Sequence, residues 1–405
     1  MWSMFRLRRD ARESSTAIAP LAFALAVFAL AGGADPASAQ APVPPTPVPY
    51  AEALKRAAND LFGKANLGAD RVELVIDPLI DGASGAQSAA TRAMQKSLTE
   101  IVQTSYPRFV VQPFSAEVLA RDPIVLVGTL TAITNQGGDG PRDAFRICLT
   151  LADLKSRTVV SKGVARSTLD NVDVTPTQYY RDSPVWAKDQ ATDAYVKTCQ
   201  GTPLGGGLDP AYVDRLTANA LINDAIVEYE AQHFREALAF YRTARRLPGG
   251  DQHRVRIGTY LSSAKLGRRD DAVEAFGDMV DYGLSTDQLM VKLLFRPGTT
   301  QFIDNPQTTE PYPMWLSQIA TRARQKGACL EIVGHTSRTG MPNLNERLSV
   351  MRAQFIMDLL LTGMPDGRSR MIATGRGFKE NVVGTGKDDA SDALDRRVEF
   401  KVIGC

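Results

Sequence analysis

Apolar positions along this chain switch between the 3.6-residue spacing of a helix and the two-residue alternation of a strand, and the switches divide it into regions. Leu54, Ala58, Leu61 and Phe62 recur at helical spacing. A strand, VELVI, follows within 71–76 and is stopped by Asp77-Pro78. The Gly/Ser-bearing loop 81–87 leads into a helix expected at 88–104, with Met94, Leu98 and Ile101 on one side. Strands are expected at Phe109–Gln112 and Ile124–Ile133, then a glycine-rich turn at 137–140. Phe145, Ile147, Leu149 and Leu151 alternate as a half-buried strand should, and Lys155-Ser156 turns the chain into a further strand at 158–165. Helices between early strands, followed by a hairpin, predict an α/β sandwich on one sheet over 50–202. The loop 81–85 lacks the lysine of a phosphate-binding loop, so it reads as a strand-to-helix turn.

Phrases such as IVLVGTLT and ICLTLADLKSRTVVSKG resemble the small α/β domains at the amino end of TolB and of periplasmic lipoprotein assembly factors. That resemblance implies an interaction module. The next region, 203–288, reads as helical and repeats itself. FREALAFY at 234–241 aligns with RDDAVEAF at 269–276, so Ala237 and Ala272 stand 35 residues apart and Tyr241 matches Phe276. A small alanine lets paired helices approach, and the aromatic fills the gap between them. The pattern resembles tetratricopeptide repeats. Two units are few for a free-standing solenoid, so neighbouring regions are expected to cover the open ends. His233 and His253 are expected on its surface.

The last region, 289–405, alternates again. A strand at 291–295, a helix at 313–325, a strand at 329–335, a helix at 344–361 and strands at Met371–Gly375 and Arg397–Ile403 give the order βαβαββ, a mixed sheet with helices on one face. In the second helix Asn343 is placed to cap the start, with Glu346 as its reciprocal partner. Leu348, Met351, Phe355 and Leu359 form the stripe expected to face the core. Asn345, Ser349 and Arg352 fall on another face, beginning in the first turn, where free N–H groups favour an anion. The loop 335–340 leaves a strand end directly before this helix, the usual ligand crevice of an α/β sheet. Arginine grips a carboxylate with two parallel hydrogen bonds.

EIVGHTSRTG, NERLSVMRAQFI, IATGRGF and DRRVEFKV together closely resemble the OmpA-like peptidoglycan-binding domain. The resemblance implies a pocket for the zwitterionic end of a diaminopimelate residue in a peptidoglycan stem peptide. Arg352 would hold its carboxylate, with Asn345, Thr336, Thr339 and Ser349 around it. An aspartate would face the ammonium, but Ser337 stands at that position. A hydrogen bond to a charged partner is worth about 1.5–3 kcal/mol against about 1 for a neutral one, so the exchange predicts binding weaker by about tenfold. Arg338 beside it adds positive charge.

Composition narrows the readings. With 47 Lys+Arg against 45 Asp+Glu the 405-residue chain has no basic surplus to argue for nucleic acid. Arginines 6, 8, 9 and 12, an apolar run at 17–31 and Ala37-Ser38-Ala39 describe a secretory signal peptide over 1–39, and the proline-rich 40–49 an extended linker. In an oxidising compartment Cys148, Cys199, Cys329 and Cys405 could form two disulfides in any of three pairings. Proximity favours 148 with 199 and 329 with 405, and free thiols are the alternative. The three histidines, 233, 253 and 335, give little material for a metal site, and none is expected. His335 and Ser337 lie two apart at a strand end without a third orienting group, so no catalytic residue is assigned and no cofactor is expected.

The sequence therefore predicts an α+β multidomain, non-enzymatic periplasmic scaffold, associated with the cell wall and with no membrane span once the signal is removed. It would bind peptidoglycan at its carboxyl end and an envelope protein through its other regions. The alternative is an assembly factor whose OmpA-like domain has lost wall binding and docks proteins only.

Overall fold

The computed structural model describes residues 46–405 apart from 69, 135–139, 141, 290 and 387–389. The expected signal peptide, most of the proline-rich linker and most of the 137–140 turn lie outside the described residues. The linker's last residues are not a detached spacer: Val48 pairs with the edge of the first sheet, its N–H donating to the carbonyl of Arg166 at 3.1 Å.

The first sheet is built from α1 (Tyr50–Gly63), β1 (Val72–Ile76), β2 (Ile80–Asp81), α2 (Ala89–Ser105), β3 (Phe109–Gln112), α3 (Ala116–Leu119), β4 (Ile124–Ile133), β5 (Ala144–Asp153) and β6 (Thr158–Ser167). Its strand order is β3-β1-β4-β5-β6, with β2 alongside β4. The first pairings are parallel and β4-β5-β6 form an antiparallel meander. Ser88 caps α2 with the reciprocal bond from Thr91. β5 is not half-buried as its alternation suggests. One face packs on α1 and α2, and the other on α5 (Gln190–Gln200), which follows the short α4 (Gln178–Asp182). The disulfide Cys148–Cys199, with Cα atoms 6.1 Å apart, fastens α5 to β5.

Short α6 (Pro210–Val213) leads into two helical hairpins, α7 (Leu216–Glu230) with α8 (Phe234–Ala244) and α9 (His253–Lys265) with α10 (Arg269–Ser285). The turns inside them carry the left-handed residues Gln232 (φ 65) and Gly267 (φ 70), 35 positions apart like the alanines. Ala237, Tyr241, Ala272 and Phe276 are all buried. His233 is exposed, as expected, and lies against Glu228. His253 is not at the surface: it is 1% exposed, its ring edge-on to Tyr282, because α9 is enclosed by its neighbours.

The second sheet follows without a break in the core. It contains β7 (Leu293–Leu294), α11 (Pro306–Thr309), α12 (Tyr312–Lys326), β8 (Cys329–Gly334), α13 (Pro342–Gly363), β9 (Met371–Gly375), α14 (Ala390–Asp395) and β10 (Arg397–Ile403). The strand order is β7-β10-β8-β9, with only β8 and β9 parallel. One apolar cluster runs from Tyr241 and Phe276 of the hairpins into Trp315, Ile319 and Phe400 of this region. Trp315 stacks on Phe276 at 5.5 Å and donates its indole N–H to the Tyr260 hydroxyl, so α12 covers the open side of the second hairpin. Arg322 of α12 adds an ion pair to Asp281 at 2.7 Å. The disulfide Cys329–Cys405 closes the register Ile403↔Cys329 at the end of β8 and β10.

Candidate functional site

The site expected from the sequence lies where β8 ends and α13 begins, and the helix is rotated from its expected orientation. Asn345, Ser349 and Arg352 are buried, whereas Met351 is 57% exposed and Leu348, Phe355 and Leu359 are only half-buried. The cause is how closely α13 crosses the sheet. A Cβ on Gly334 would lie 1.8 Å from the Ser349 carbonyl oxygen, and one on Gly375 would lie 2.2 Å from the Ser349 hydroxyl. At this crossing small and polar residues face the sheet because larger apolar ones have no room there, while apolar Ile356, Met357 and Leu360 are buried farther along the helix. The expected capping box is absent as well: Met341 is the cap residue and Pro342 begins the helix, so Asn343 already lies inside the first turn.

The structure brings the polar residues together in two layers. In the upper layer Thr336, Ser337 and Asn345 are themselves buried, the hydroxyls of Ser337 and Thr339 are 2.9 Å apart, and the Asn345 amide donates to the Thr339 carbonyl at 3.0 Å. The Thr336 N–H donates to the Gly377 carbonyl, while its buried hydroxyl has no partner among the described residues. Ser349 accepts from the Gly377 N–H at 3.0 Å and ties the crossing to the following loop. Arg338 lies over the Phe378 ring at 5.0 Å.

Arg352 forms the deeper layer and is 0% exposed. Its guanidinium donates to three backbone carbonyls: Nε to Thr299 at 2.8 Å, Nη1 to His335 at 2.9 Å and Nη2 to Arg296 at 2.8 Å. Phe295 lies under it at 5.2 Å. It therefore does not stand open to solvent. The 296–300 turn, with Gly298 in the left-handed region (φ 67), closes it from solvent. Burial, and next the charge of Arg396, lowers its pKa to about 10. No acidic side chain among the described residues bonds it, although a buried cation is ordinarily paired. Three of the five N–H groups of a guanidinium are thus used.

Sequence reasoning assigned no role to the turn at 296–300, to Phe295 or to Phe378. Pro297-Gly298 was a legible turn signal, but nothing in it told that the turn's carbonyls meet an arginine fifty residues on.

Behind β8 a second charged cluster lies on the sheet's other face. Glu399 lies 3.0 Å from Arg397 and 3.2 Å from the His335 imidazole, and accepts from the Trp186 indole at 3.3 Å. These contacts outweigh burial and hold its carboxyl well below the usual range. Burial first, and then Arg397, lowers the pKa of His335. His335, Glu380 and Glu399 bring ligand atoms within 4.8 Å of one another, but Arg397 already neutralises Glu399, which disfavours a cation there. Lys292 is buried beside them and donates to the carbonyls of Ser183 and Val185, and burial lowers its pKa to about 7. Ser337 bonds to Thr339, whereas His335 faces Glu399.

No family model matches the chain. Among curated proteins it is similar to Outer membrane protein A of Shimwellia blattae, 32% identical over 108 residues, 24% of this chain and 44% of that protein. The chain thus spans less than half the length of that relative. Among solved structures it is similar to the peptidoglycan-associated lipoprotein from Burkholderia pseudomallei, at 23% identity and a TM-score of 0.25, over 29% of this chain and 94% of that one. It is also similar to the cell wall anchor of the T6SS from Pseudomonas aeruginosa, at 29% identity and a TM-score of 0.23, over 28% of this chain and 76% of that one. The curated match supports an OmpA-like domain within the chain. Among the described residues, no helix is long and apolar enough to cross a membrane.

Proposed function

We propose that this protein is a non-enzymatic scaffold of the cell envelope whose carboxyl-terminal domain binds peptidoglycan. The observation that carries this reading is Arg352, a buried guanidinium with no acid bonded to it among the described residues. A carboxylate from a stem peptide is the missing counter-charge. Direct contact requires the 296–300 turn to swing aside, so that the carboxylate replaces the backbone carbonyls of Arg296 and Thr299. Ser337, Thr339, Asn345 and the unpartnered Thr336 hydroxyl would then receive the rest of the ligand's polar end. With a serine where the resemblance expects an acid, the ammonium has no charged partner, so binding is weak. The hairpins α7–α10, which resemble tetratricopeptide repeats, and the TolB-like first domain would serve envelope proteins in a periplasm reached through the signal peptide.

Co-sedimentation with purified sacculi tests this. The wild type is expected to be retained, Ser337→Asp to be retained about tenfold more tightly, and Arg352→Gln to be lost while still folded by circular dichroism. Equal behaviour of all three would count against the pocket. The closure of Arg352 favours a second reading, an assembly factor that docks proteins only, and that reading predicts no sacculus retention by the wild type or by Ser337→Asp.

A further inference from the structure

In the first sheet β3, β1 and β4 run parallel, and the helices that follow two of them lie on opposite faces. α2, after β1, packs on one face, and α3, after β3, on the other. The chain therefore parts between the carboxyl ends of β1 and β3, and such a parting is where ligands enter open α/β sheets. Here it is hollow. A chamber of about 20 Å³ lies among Asp77 at the end of β1, Phe114 beyond β3, Asn223 of α7 and Arg254 of α9. That is room for one or two water-sized groups. Pro78, Gln87 and Asn223 also line an open groove of about 490 Å³ between α2 and α7, so the chamber and the groove share a wall. The groove presents mostly aliphatic carbon, from Val227, which is 45% exposed, and from the stems of Gln95 and Lys96.

The chamber holds donors that the fold does not use. Arg254 donates from Nη2 to the side-chain oxygens of Asn219 and Gln252, both at 2.9 Å, and the Tyr180 hydroxyl lies beside its guanidinium. Its enclosed Nε–H has no partner among the described residues. No acid among them forms an ion pair with it: the nearby Asp189 turns its Oδ1 to the N–H and hydroxyl of Thr192. The Asn223 amide has no hydrogen-bond partner among the described residues either. Burial raises the Asp77 pKa to about 7, so below that value this acid is neutral and does not oppose an anion. We propose that this cleft binds a small carboxylate with an aliphatic body. The two carboxylate oxygens enter the chamber and accept from the Arg254 Nε–H and the Asn223 amide, while the aliphatic part lies along the groove over Val227. A mainly apolar cleft with a few convergent polar groups is the usual form of a small-molecule site. A fatty acid and the apolar carboxyl end of a peptide share this chemistry.

Titration calorimetry of the full chain, processed in its host, with octanoate at about pH 6 tests the proposal. Octanoate is expected to bind and saturate, and octanol, which lacks the charge, to bind at least about tenfold more weakly. Asn223→Leu fills the opening between chamber and groove without removing any bond. Its melting temperature should match the wild type while octanoate binding weakens at least about tenfold. Arg352→Gln should bind octanoate as the wild type does, which separates this cleft from the site beneath α13. Acetyl-leucyl-leucine run in parallel distinguishes the sources: tighter binding than octanoate assigns a peptide end, and weaker binding a fatty acid. No octanoate binding up to about 10 mM, octanol binding as tightly as octanoate, or an unchanged Asn223→Leu would each overturn the proposal. So would loss of octanoate binding in a folded Arg352→Gln, which would move the carboxylate to the other site.

Discussion

Each sheet of this protein carries a disulfide, and each has a glycine where a helix crosses it, yet their faces differ. The first sheet is covered by apolar layers on both sides, α1 and α2 on one and α5 on the other. The second has an apolar layer under α12 and α13, but its other face carries Arg397, Glu399 and His335 beneath Trp186. The Arg352 cation is enclosed at its edge. Burial in the first sheet stabilises without asking for partners. In the second it takes in charges, and charges withdrawn from water must be balanced by something. Where the chain supplies the balance, as Glu399 does for Arg397, the result is structure. At Arg352 the chain supplies only backbone carbonyls, which leave the charge without an acid among the described residues.

The largest effects test what the sheets share. A Cβ on Gly163 would lie 1.9 Å from the Ala57 carbonyl oxygen of α1, much as one on Gly334 would meet Ser349 of α13. Gly163→Ala and Gly334→Ala should each cost about 4–5 kcal/mol in urea unfolding, and a cost under about 1 kcal/mol would show that the helices can retreat. A somewhat smaller effect tests the difference. Trp186→Ala removes the cover from the charged face of the second sheet and should cost about 3–4 kcal/mol, whereas a neutral result would mean that the face tolerates water.

The smallest of these effects depends on pH. Asp77 ends β1, is 5% exposed, and accepts from the Tyr212 hydroxyl at 2.8 Å. Burial pushes its pKa up to about 7 from the ordinary 3.8, against the Tyr212 bond and the charge of Arg254. Between those values the folded chain holds a proton that the unfolded chain has released, so stability falls as pH rises from 4 to 7 and stays lower above. Asp77→Asn never ionises. Relative to the wild type it should gain about 2 kcal/mol between pH 4 and about pH 5.5, from roughly 1.4 kcal/mol per pH unit of lost proton linkage. An unchanged gap across that range would assign the effect to something other than ionisation.

Much of the fold was legible in the sequence. The strands at Phe109–Gln112, Ile124–Ile133, Met371–Gly375 and Arg397–Ile403 stand where alternation placed them, and both disulfides join the pairs that proximity favoured. The helix over Gln190–Gln200 was not foreseen, because its exposed and buried positions mix polar with apolar residues. The orientation of α13 was misread for a physical reason. Hydrophobic periodicity assumes that the larger apolar stripe faces inward, but close crossing at Gly334 and Gly375 admits small and polar residues at that point, and a different apolar set, Ile356, Met357 and Leu360, fills the core beyond it. The same rotation drew Arg352 inside, where backbone carbonyls take up its N–H groups.

Whether the buried guanidinium meets the wall can be followed by NMR, through the Arg352 Nε–H resonance, while a diaminopimelate-containing muropeptide is added to the full chain. If the guanidinium exchanges its backbone carbonyls for a ligand carboxylate, that resonance and the Thr299 amide should shift together and saturate, and the same peptide amidated at that carboxylate should leave both unmoved. Resonances that stay fixed at every muropeptide concentration, with Arg352 still bonded to Thr299 and Arg296, would mean that the turn never opens and that Arg352 serves the fold alone.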